Sequence, residues 1–404
     1  MSSVNLFCML TTTGMPVYEK FVSYNFPIYF ILIALVAILC VGSKIAAKNE
    51  WQDEPLSLEV SKAIQGFCAV AIIIHHLAQD LMEKADVLQG FSEFGVLFVG
   101  VFFFFSGYGL YTSLKTKENY LKGFLRKRLT TILIPFYVCI VIFTVTACIT
   151  GAKFEGKELF FVLSGWTLIN DHMWYIVEIA ILYILFFVIY RLIKNRTVAT
   201  IVMTLCVIGM IAGSLMLCHG EDYSCPYWFM GEWWYNSTFL FIVGILVSKH
   251  SDILRKIARK GYAFFLILFG GLTIWFASLT KNALETYSYW SEIPGVDPNY
   301  DDKLRCLSLQ LPWIIFFVCF LLLLMMKVKF SNGILKFLGS ISLELYLIHN
   351  LFRLGLSEGF IARIPSASMY IALTILMSVA AAAIIHGVDK YLISLATGKR
   401  SLRK

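Results

Sequence analysis

Residues 309–326 read LQLPWIIFFVCFLLLLMM, a run of 18 residues without a charged side chain. An α-helix rises about 1.5 Å per residue, so this run spans about 27 Å, close to the thickness of a bilayer's hydrocarbon core. The stretch therefore predicts a transmembrane helix, and ten similar apolar runs occur along the chain. The eleven predicted spans are 24–42, 63–82, 94–112, 132–150, 173–192, 198–217, 233–248, 262–280, 309–326, 338–354 and 369–386.

The composition of the whole chain agrees with this interpretation. Of the 404 residues, 59% are hydrophobic and 15% are charged, and the mean hydropathy is +0.75. A soluble domain carries about 25% charged residues, so a water-soluble enzyme, a disordered chain and a nucleic-acid-binding module are excluded. We predict an all-α, polytopic integral membrane helical bundle in contact with the lipid bilayer. It has about 11 transmembrane helices, ten in a core and one at the amino terminus.

The net charge of +8 is explained by the predicted topology. If the spans alternate and the amino terminus lies outside, the cytoplasmic segments hold 25 of the 34 Lys and Arg residues, and Asp and Glu show the reverse bias. Cytoplasmic loops of membrane proteins carry such an excess of Lys and Arg. We therefore predict a multi-pass protein of the cell membrane with its amino terminus outside and its carboxyl terminus in the cytoplasm.

The cysteines give little indication of a scaffold or a metal site. Ten cysteines are too few for a disulfide framework in a chain of this length. No His/Cys cluster has the spacing of a zinc site, so we predict no metal and no permanently bound cofactor. Cys218 and Cys225 flank one polar loop, and the sequence leaves open whether they pair.

Ionisable residues inside predicted spans are the first candidates for a functional site, because a charge in lipid costs several kcal/mol. The short list of such candidates is His75, His76, Glu178, Glu344, His349 and His386. His75 and His76 lie about 20 Å above the inner surface, and their side chains point about 100° apart on a helix. An imidazole suits proton transfer near neutral pH, which favours His76 as a general acid–base group. A histidine that hydrogen-bonds to a neighbouring helix is the alternative for both.

Two further stretches combine aromatic or small residues with polar ones. Residues 102–111 read FFFFSGYGLY, where Ser106 can bond back to the helix and Gly107 and Gly109 allow close helix approach or a local break. Residues 172–183 read HMWYIVEIAILY, where Trp174, Tyr175 and Glu178 share one helix face. Simple packing and an interfacial aromatic belt are the alternatives for the aromatic residues.

The remaining polar stretches lie beside or within later spans. Residues 121–135 read LKGFLRKRLTTILIP and place Arg126 and Arg128 before a span. Arg suits phosphate because its fork bonds two oxygens at once, and a snorkelling anchor is the alternative. Residues 339–352 read GSISLELYLIHNLF, where Tyr346 and His349 share a face, with a structural polar network as the alternative.

These stretches, in this order, resemble the acyltransferase 3 family of bacterial membrane enzymes. Members move acyl groups, often acetyl, from a cytoplasmic donor to sugars and other acceptors at the cell surface. The resemblance covers about residues 57–396. It leaves 1–56 as a segment with one accessory transmembrane helix and 397–404 as a basic cytoplasmic tail.

The resemblance also implies roles for particular positions. The family's first core helix has an Arg, ten residues and a catalytic His, and KAIQGFCAVAIIIHH places that His at His76 and Gln65 at the Arg position. In the family's basic stretch, FLRKRLTTILIP aligns Arg128 with a family Arg and Thr131 with the next one. The family's WF/WY helix resembles MWYIVEI, and its late YLIH matches residues 346–349.

The resemblance implies a membrane O-acyltransferase that moves an acyl, typically acetyl, group from an acyl-CoA donor to a hydroxyl of a surface glycan. Expected catalytic residues are His76, Glu178, Glu344 and His349; expected donor-binding residues are Arg126, Arg128, Lys62 and Gln65; expected acceptor or pore-lining residues are Ser106, Trp174, Tyr175 and Tyr346. A transporter or flippase of a glycan precursor would use the same intramembrane residues to move its substrate unaltered. A structural or sensory subunit would tolerate the loss of His76.

Overall fold

The computed structural model describes residues 25–217, 233–287 and 299–398, and it is almost entirely helical. Its α-helices are α1 (Asn25–Cys40), α2 (Leu58–Leu81), α3 (Gly95–Thr116), α4 (Phe124–Ile149), α5 (Gly156–Ser164), α6 (Trp174–Leu192), α7 (Arg196–Leu215), α8 (Trp233–Asn236), α9 (Leu240–Lys249), α10 (Ser251–Lys260), α11 (Tyr262–Tyr287), α12 (Tyr300–Lys327), α13 (Gly333–Ser340), α14 (Ser342–Ser357) and α15 (Ala367–Thr397). Two 3₁₀ segments, Met82–Phe91 and Asp171–Met173, precede α3 and α6. Strands β1 (Lys44–Ile45) and β2 (Val328–Lys329) pair antiparallel.

Within the described residues, eight helices are long and apolar enough to cross a membrane. They are α2, α3, α4, α6, α7, α11, α12 and α15. Two bent pairs, Trp234–Lys249 with α10 at 84° and α13 with α14 at 77°, raise the number to ten if each pair is one span. The predicted all-α membrane bundle is therefore confirmed. The predicted count of about 11 is not, because α1 has only 16 residues.

The predicted span 338–354 is broken near its beginning, where α13 ends and α14 starts. The break lies where the chain packs directly on α2. A Cβ atom added to Gly339 would overlap the backbone carbonyl of Lys62, and one added to Gly66 would overlap the backbone at Gly339. The two glycines thus let the backbones touch, as small residues do between membrane helices.

A second close approach joins α3 to α9. A Cβ atom on Gly107 would overlap the carbonyl oxygen of Phe241, and one on Gly244 would overlap that of Phe104. The prediction that Gly107 allows close helix approach is confirmed. The same prediction for Gly109 is wrong, because a Cβ atom there would meet no described atom within 4 Å.

Helix α2 lies at the centre of the bundle, and the other helices position the site around it. Its side chains Ala69, Ile73 and Leu77 are completely buried, and α14 and α15 pack beside it. Helix α11, by contrast, packs along α12 and leaves Phe264 and Ile267 exposed, as expected of a lipid-facing helix. Cys218 and Cys225, whose pairing the sequence leaves open, lie outside the described residues.

Candidate active site

Three histidines from distant parts of the chain stack together in the interior of the helical bundle. The ring centroid of His76 on α2 lies 3.9 Å from that of His172 and 5.3 Å from that of His349. The rings of His172 and His349 are 5.6 Å apart, and the three ring planes lie within 16–28° of one another. The stack thus joins two residues that the sequence singled out, His76 and His349, to one that it did not.

The rings of His172 and His349 are each fixed through the Nδ1 atom. The Nδ1 of His172 lies 2.7 Å from the Asp171 carboxylate, and the Nδ1 of His349 lies 2.7 Å from the backbone carbonyl of Tyr346. Both partners are acceptors, so each Nδ1 carries a hydrogen in these contacts. Both Nε2 atoms are buried without a hydrogen-bond partner among the described residues. His172 borders the cavity described below, whereas His349 is fully buried and lines no cavity there.

The two adjacent histidines of α2 differ in their surroundings. The Nδ1 of His76 faces the side-chain oxygen of Gln79 at 3.3 Å, whereas the Nδ1 of His75 lies 2.9 Å from the backbone carbonyl of Phe91. A Cβ atom on Gly95 would overlap the His75 ring, so that ring is wedged against the start of α3. This arrangement agrees with the structural interpretation of His75, although its ring also borders the cavity described next.

A cavity of about 380 Å³ opens over the stack. Its lining includes His76, His172, Asp171, Trp174 and Glu93. The volume lies in the range of about 300–1,000 Å³ that is typical of small-molecule sites, and the lining combines carboxylates, imidazoles and an aromatic ring. The cavity therefore has both the size and the polar groups to hold a small polar substrate.

A separate, smaller cavity of about 150 Å³ lies along α2 nearer the beginning of that helix. It contains Gln65, and it shares Ile72, Val99 and Tyr346 with the larger cavity. The two cavities together follow α2 from Gln65 to Gln79, a rise of about 21 Å. Tyr346 therefore stands between an inner chamber and the chamber over the histidines.

Helices α2 and α14 are held in register by an ion pair one turn beyond the stack. Asp80 follows His76 by four residues and Arg353 follows His349 by four, and the Arg353 guanidinium lies 2.6 Å from the Asp80 carboxylate. The hydroxyl of Tyr370 donates to the second Asp80 oxygen at 2.7 Å. Because residues four apart share a helix face, this pair aligns His349 with His76.

A chain of amide side chains connects this ion pair to His172. The Nε of Arg353 donates to the Asn350 oxygen at 2.6 Å, and the Asn350 amide donates to the Asn170 oxygen at 2.8 Å. The same Asn170 oxygen accepts the backbone N–H of His172 at 3.2 Å. The turn that presents His172 is thus tied to α14 by hydrogen bonds.

Four residues of this arrangement were not predicted from the sequence. Asp171 and His172 stand immediately before the predicted span 173–192, so they were not among the ionisable residues inside spans. Asp80 and Arg353 lie inside predicted spans, and their spacing of four residues from His76 and His349 was the signal that would have found them.

The two predicted catalytic carboxylates lie apart from the histidine stack. The Glu344 carboxylate lies 2.7 Å from the Nδ1 of His386 on α15. Glu178 is fully buried, accepts a hydrogen bond from the Thr238 hydroxyl and is not part of the lining of either cavity. Of the predicted catalytic set, the structure brings together only His76 and His349.

The four predicted donor-binding residues are also in different places. Arg126 donates to the carbonyl of Ala396 at 2.6 Å and so caps the end of α15. Arg128 donates to the Tyr120 hydroxyl at 2.8 Å and precedes Ile132, a residue of the smaller cavity, by one helical turn. Gln65 also lines that cavity, whereas Lys62 is exposed.

The predicted acceptor or pore-lining residues follow the two cavities. Trp174 lines the larger cavity, Tyr175 the smaller one and Tyr346 both. The rings of Tyr175 and Tyr346 meet edge to face with centroids 5.8 Å apart. Ser106 reaches the smaller cavity indirectly, through a 2.9 Å hydrogen bond with the Tyr183 hydroxyl.

The histidine stack has the donor atoms for a metal ion but an unsuitable ring arrangement. One nitrogen from each of His76, His172 and His349 lies within 4.8 Å of the others. Imidazole binds zinc at about 2.0–2.1 Å. Its lone pair lies in the ring plane, and three nearly parallel planes do not meet at one point. These rings would have to turn to bind a metal. That the protein holds no metal ion stays a prediction.

The helical bundle and its buried histidine cavity define a multi-pass membrane protein with a candidate catalytic centre. The family model described as the acyltransferase domain, Acyl_transf_3, matches residues 61–386, which include all three stacked histidines. The chain belongs to this family and is an acyltransferase that moves groups other than aminoacyl groups. Comparisons with curated proteins and with solved structures find no match. The family sets aside the transporter and structural-subunit interpretations.

Proposed function

We propose that this acyltransferase moves an acyl group, in the first instance acetyl, from cytoplasmic acyl-CoA to a hydroxyl of a carbohydrate at the cell surface. His76 serves as the base that removes the hydroxyl proton. The observation that carries the proposal is the polar cavity over the His76–His172–His349 stack, beside which a second cavity lies along α2. In this proposal a donor from one side and an acceptor from the other meet at one imidazole.

The donor enters from the end at which α2 begins, which the positive-inside bias assigns to the cytoplasm. The CoA phosphates stay at the membrane surface, because burying their charge between apolar side chains such as Ile72 and Val99 is costly. Arg128 is the better placed of the two predicted arginines, since it lies one turn from the smaller cavity while Arg126 caps α15. The uncharged part of the donor then extends along α2, which places its thioester beside His76.

The acceptor occupies the larger cavity. Gln79, Glu93 and Asp171 offer hydrogen-bond acceptors for sugar hydroxyls, and Trp174 offers an aromatic face. Together they favour a carbohydrate over an apolar acceptor. A hydroxyl held beside His76 gives its proton to that ring as its oxygen attacks the thioester carbon.

Mass spectrometry of surface glycans tests the donor and acceptor classes together. Cells that lack the protein are compared with cells that carry the wild type or Glu285→Gln, an exposed change on α11 far along the chain from the stack. We expect the acyl mass increment to be absent from the first and present in the other two. Identical glycans in all three would contradict a carbohydrate acceptor.

A further inference from the structure

We propose that His172 is a second catalytic residue of this enzyme: held by Asp171, it donates a proton to the leaving sulfur while His76 accepts the proton of the acceptor hydroxyl. The inference rests on the proposed function, because the step requires a thioester donor and a hydroxyl acceptor. It assigns the role of general acid to His172 and the role of general base to His76, whose ring stacks on it.

The first support is the fixed orientation of the His172 ring. One Asp171 oxygen accepts both the ring Nδ1 at 2.7 Å and the backbone N–H of His172 at 2.8 Å. A carboxylate in this position holds the imidazole in one orientation and stabilises its protonated form, as the aspartate of a Ser-His-Asp triad does. The opposite nitrogen, Nε2, is buried without a hydrogen-bond partner among the described residues and is left for a reactant.

The second support is the contact with His76. Ring centroids 3.9 Å apart, with planes tilted by 22°, place the two imidazoles face to face. Two positive rings at this distance would repel, so the pair carries at most one positive charge. The two rings also differ in their partners, because His172 faces the Asp171 carboxylate whereas His76 has only the neutral Gln79 amide at its Nδ1. This difference assigns the proton donor to His172 and the base to His76.

The third support is the shared cavity, which both rings and Asp171 border. In the transfer step the acceptor oxygen forms a bond to the acyl carbon and the carbon–sulfur bond breaks, with its electron pair going to sulfur. The hydroxyl proton moves to His76, and the Nε2 proton of His172 moves to sulfur, which leaves as the thiol. A proton passed from His76 to His172 through cavity water restores both rings.

The test uses purified full-length protein, a sugar acceptor and two donors that differ in their leaving group. One donor is acetyl-CoA, whose thiolate benefits from a proton, and the other is an acetyl 4-nitrothiophenyl thioester, whose thiolate is stable without one. We expect His172→Gln to lower turnover with acetyl-CoA by roughly 10²–10⁴-fold and with the aryl thioester by less than roughly tenfold. We expect His76→Ala to lose turnover with both donors.

Asp171→Asn keeps the size of the side chain and removes its charge, so it tests the positioning role separately. We expect Asp171→Asn to lose less activity than His172→Gln, and to lose more with acetyl-CoA than with the aryl thioester. The change should lower kcat with little effect on KM. Matched controls are Asp86→Asn and His250→Gln, which replace exposed residues outside both cavities and should leave both rates unchanged. If His172→Gln fails to fold, the dependence of the Asp171→Asn rate on the donor tests the inference instead.

The outcomes separate this inference from the proposed function. Equal losses with both donors would show that His172 is only structural and would overturn the inference. Full activity of His172→Gln beside an inactive His76→Ala would also overturn it, while the proposed function would stand. A wild type that transfers acyl groups from neither thioester would overturn the proposed function and this inference with it.

Discussion

The Asp80–Arg353 ion pair offers the clearest test of how the site is held together. The two side chains are only 11% and 15% exposed, and their charged atoms are 2.6 Å apart. Arg353→Met leaves the Asp80 carboxylate with the Tyr370 hydroxyl alone, and Asp80→Asn leaves the Arg353 charge without a carboxylate. Removing one partner of a buried pair costs about 3–5 kcal/mol, because the remaining charge is uncompensated. We expect each single variant to lose that much stability.

The double variant carries no unpaired charge, so we expect it to cost less than the sum of the two single changes, by about 0.5–3 kcal/mol. The measurement is unfolding of the purified protein in detergent for the wild type, both single variants and the double variant. The exposed pair Lys281–Glu285 is the control, since such a pair on a helix contributes about 0.3–0.5 kcal/mol. Additive losses, or single losses no larger than this control, would refute the role assigned to Asp80 and Arg353.

Three further predictions concern packing, the donor and the orientation. Gly107→Ala should lower stability by about 1–3 kcal/mol because its Cβ overlaps the facing backbone, whereas Gly109→Ala should not; equal thermal unfolding of the two variants would contradict this. Arg128→Ala should raise the donor concentration needed in a transfer assay roughly 10- to 150-fold, and Lys127→Ala much less; equal small effects would mean that the segment only anchors topology. A cysteine placed after Arg403 should react with an impermeant reagent only in opened cells, and labelling in intact cells would contradict the orientation.

The helical membrane fold was predictable because it depends on local hydrophobicity. An apolar run such as 309–326 has to satisfy its backbone groups internally in lipid, so it forms a helix whatever its neighbours are. The break between α13 and α14 was not predictable in this way. Small residues, Gly339, Ser340 and Ser342, lie at the break, but such residues also occur in unbroken membrane helices. The bend lies where Gly339 packs on the backbone of α2, a contact between distant parts of the chain.

A site residue was predictable only if it matched a family motif or was an ionisable residue inside a predicted span. His76 and His349 were found on these grounds, and the structure places them 5.3 Å apart by ring centroid. His172 was not, because nothing local shows that its turn reaches α2. Local sequence likewise did not separate Arg126 from Arg128, since the difference arises from the end of α15, which Arg126 caps.

Acyl transfer by the purified protein tests the central claim most directly. Label is followed from acyl-CoA to a sugar acceptor for the wild type, His76→Ala and His75→Ala, with the fold of each variant checked by its thermal unfolding. We predict that His76→Ala stays folded and loses roughly 10²–10⁴-fold in rate. We expect His75→Ala to be milder, because the His75 ring is bonded to the Phe91 carbonyl. Near-full transfer by His76→Ala would contradict the claim that this imidazole is the base.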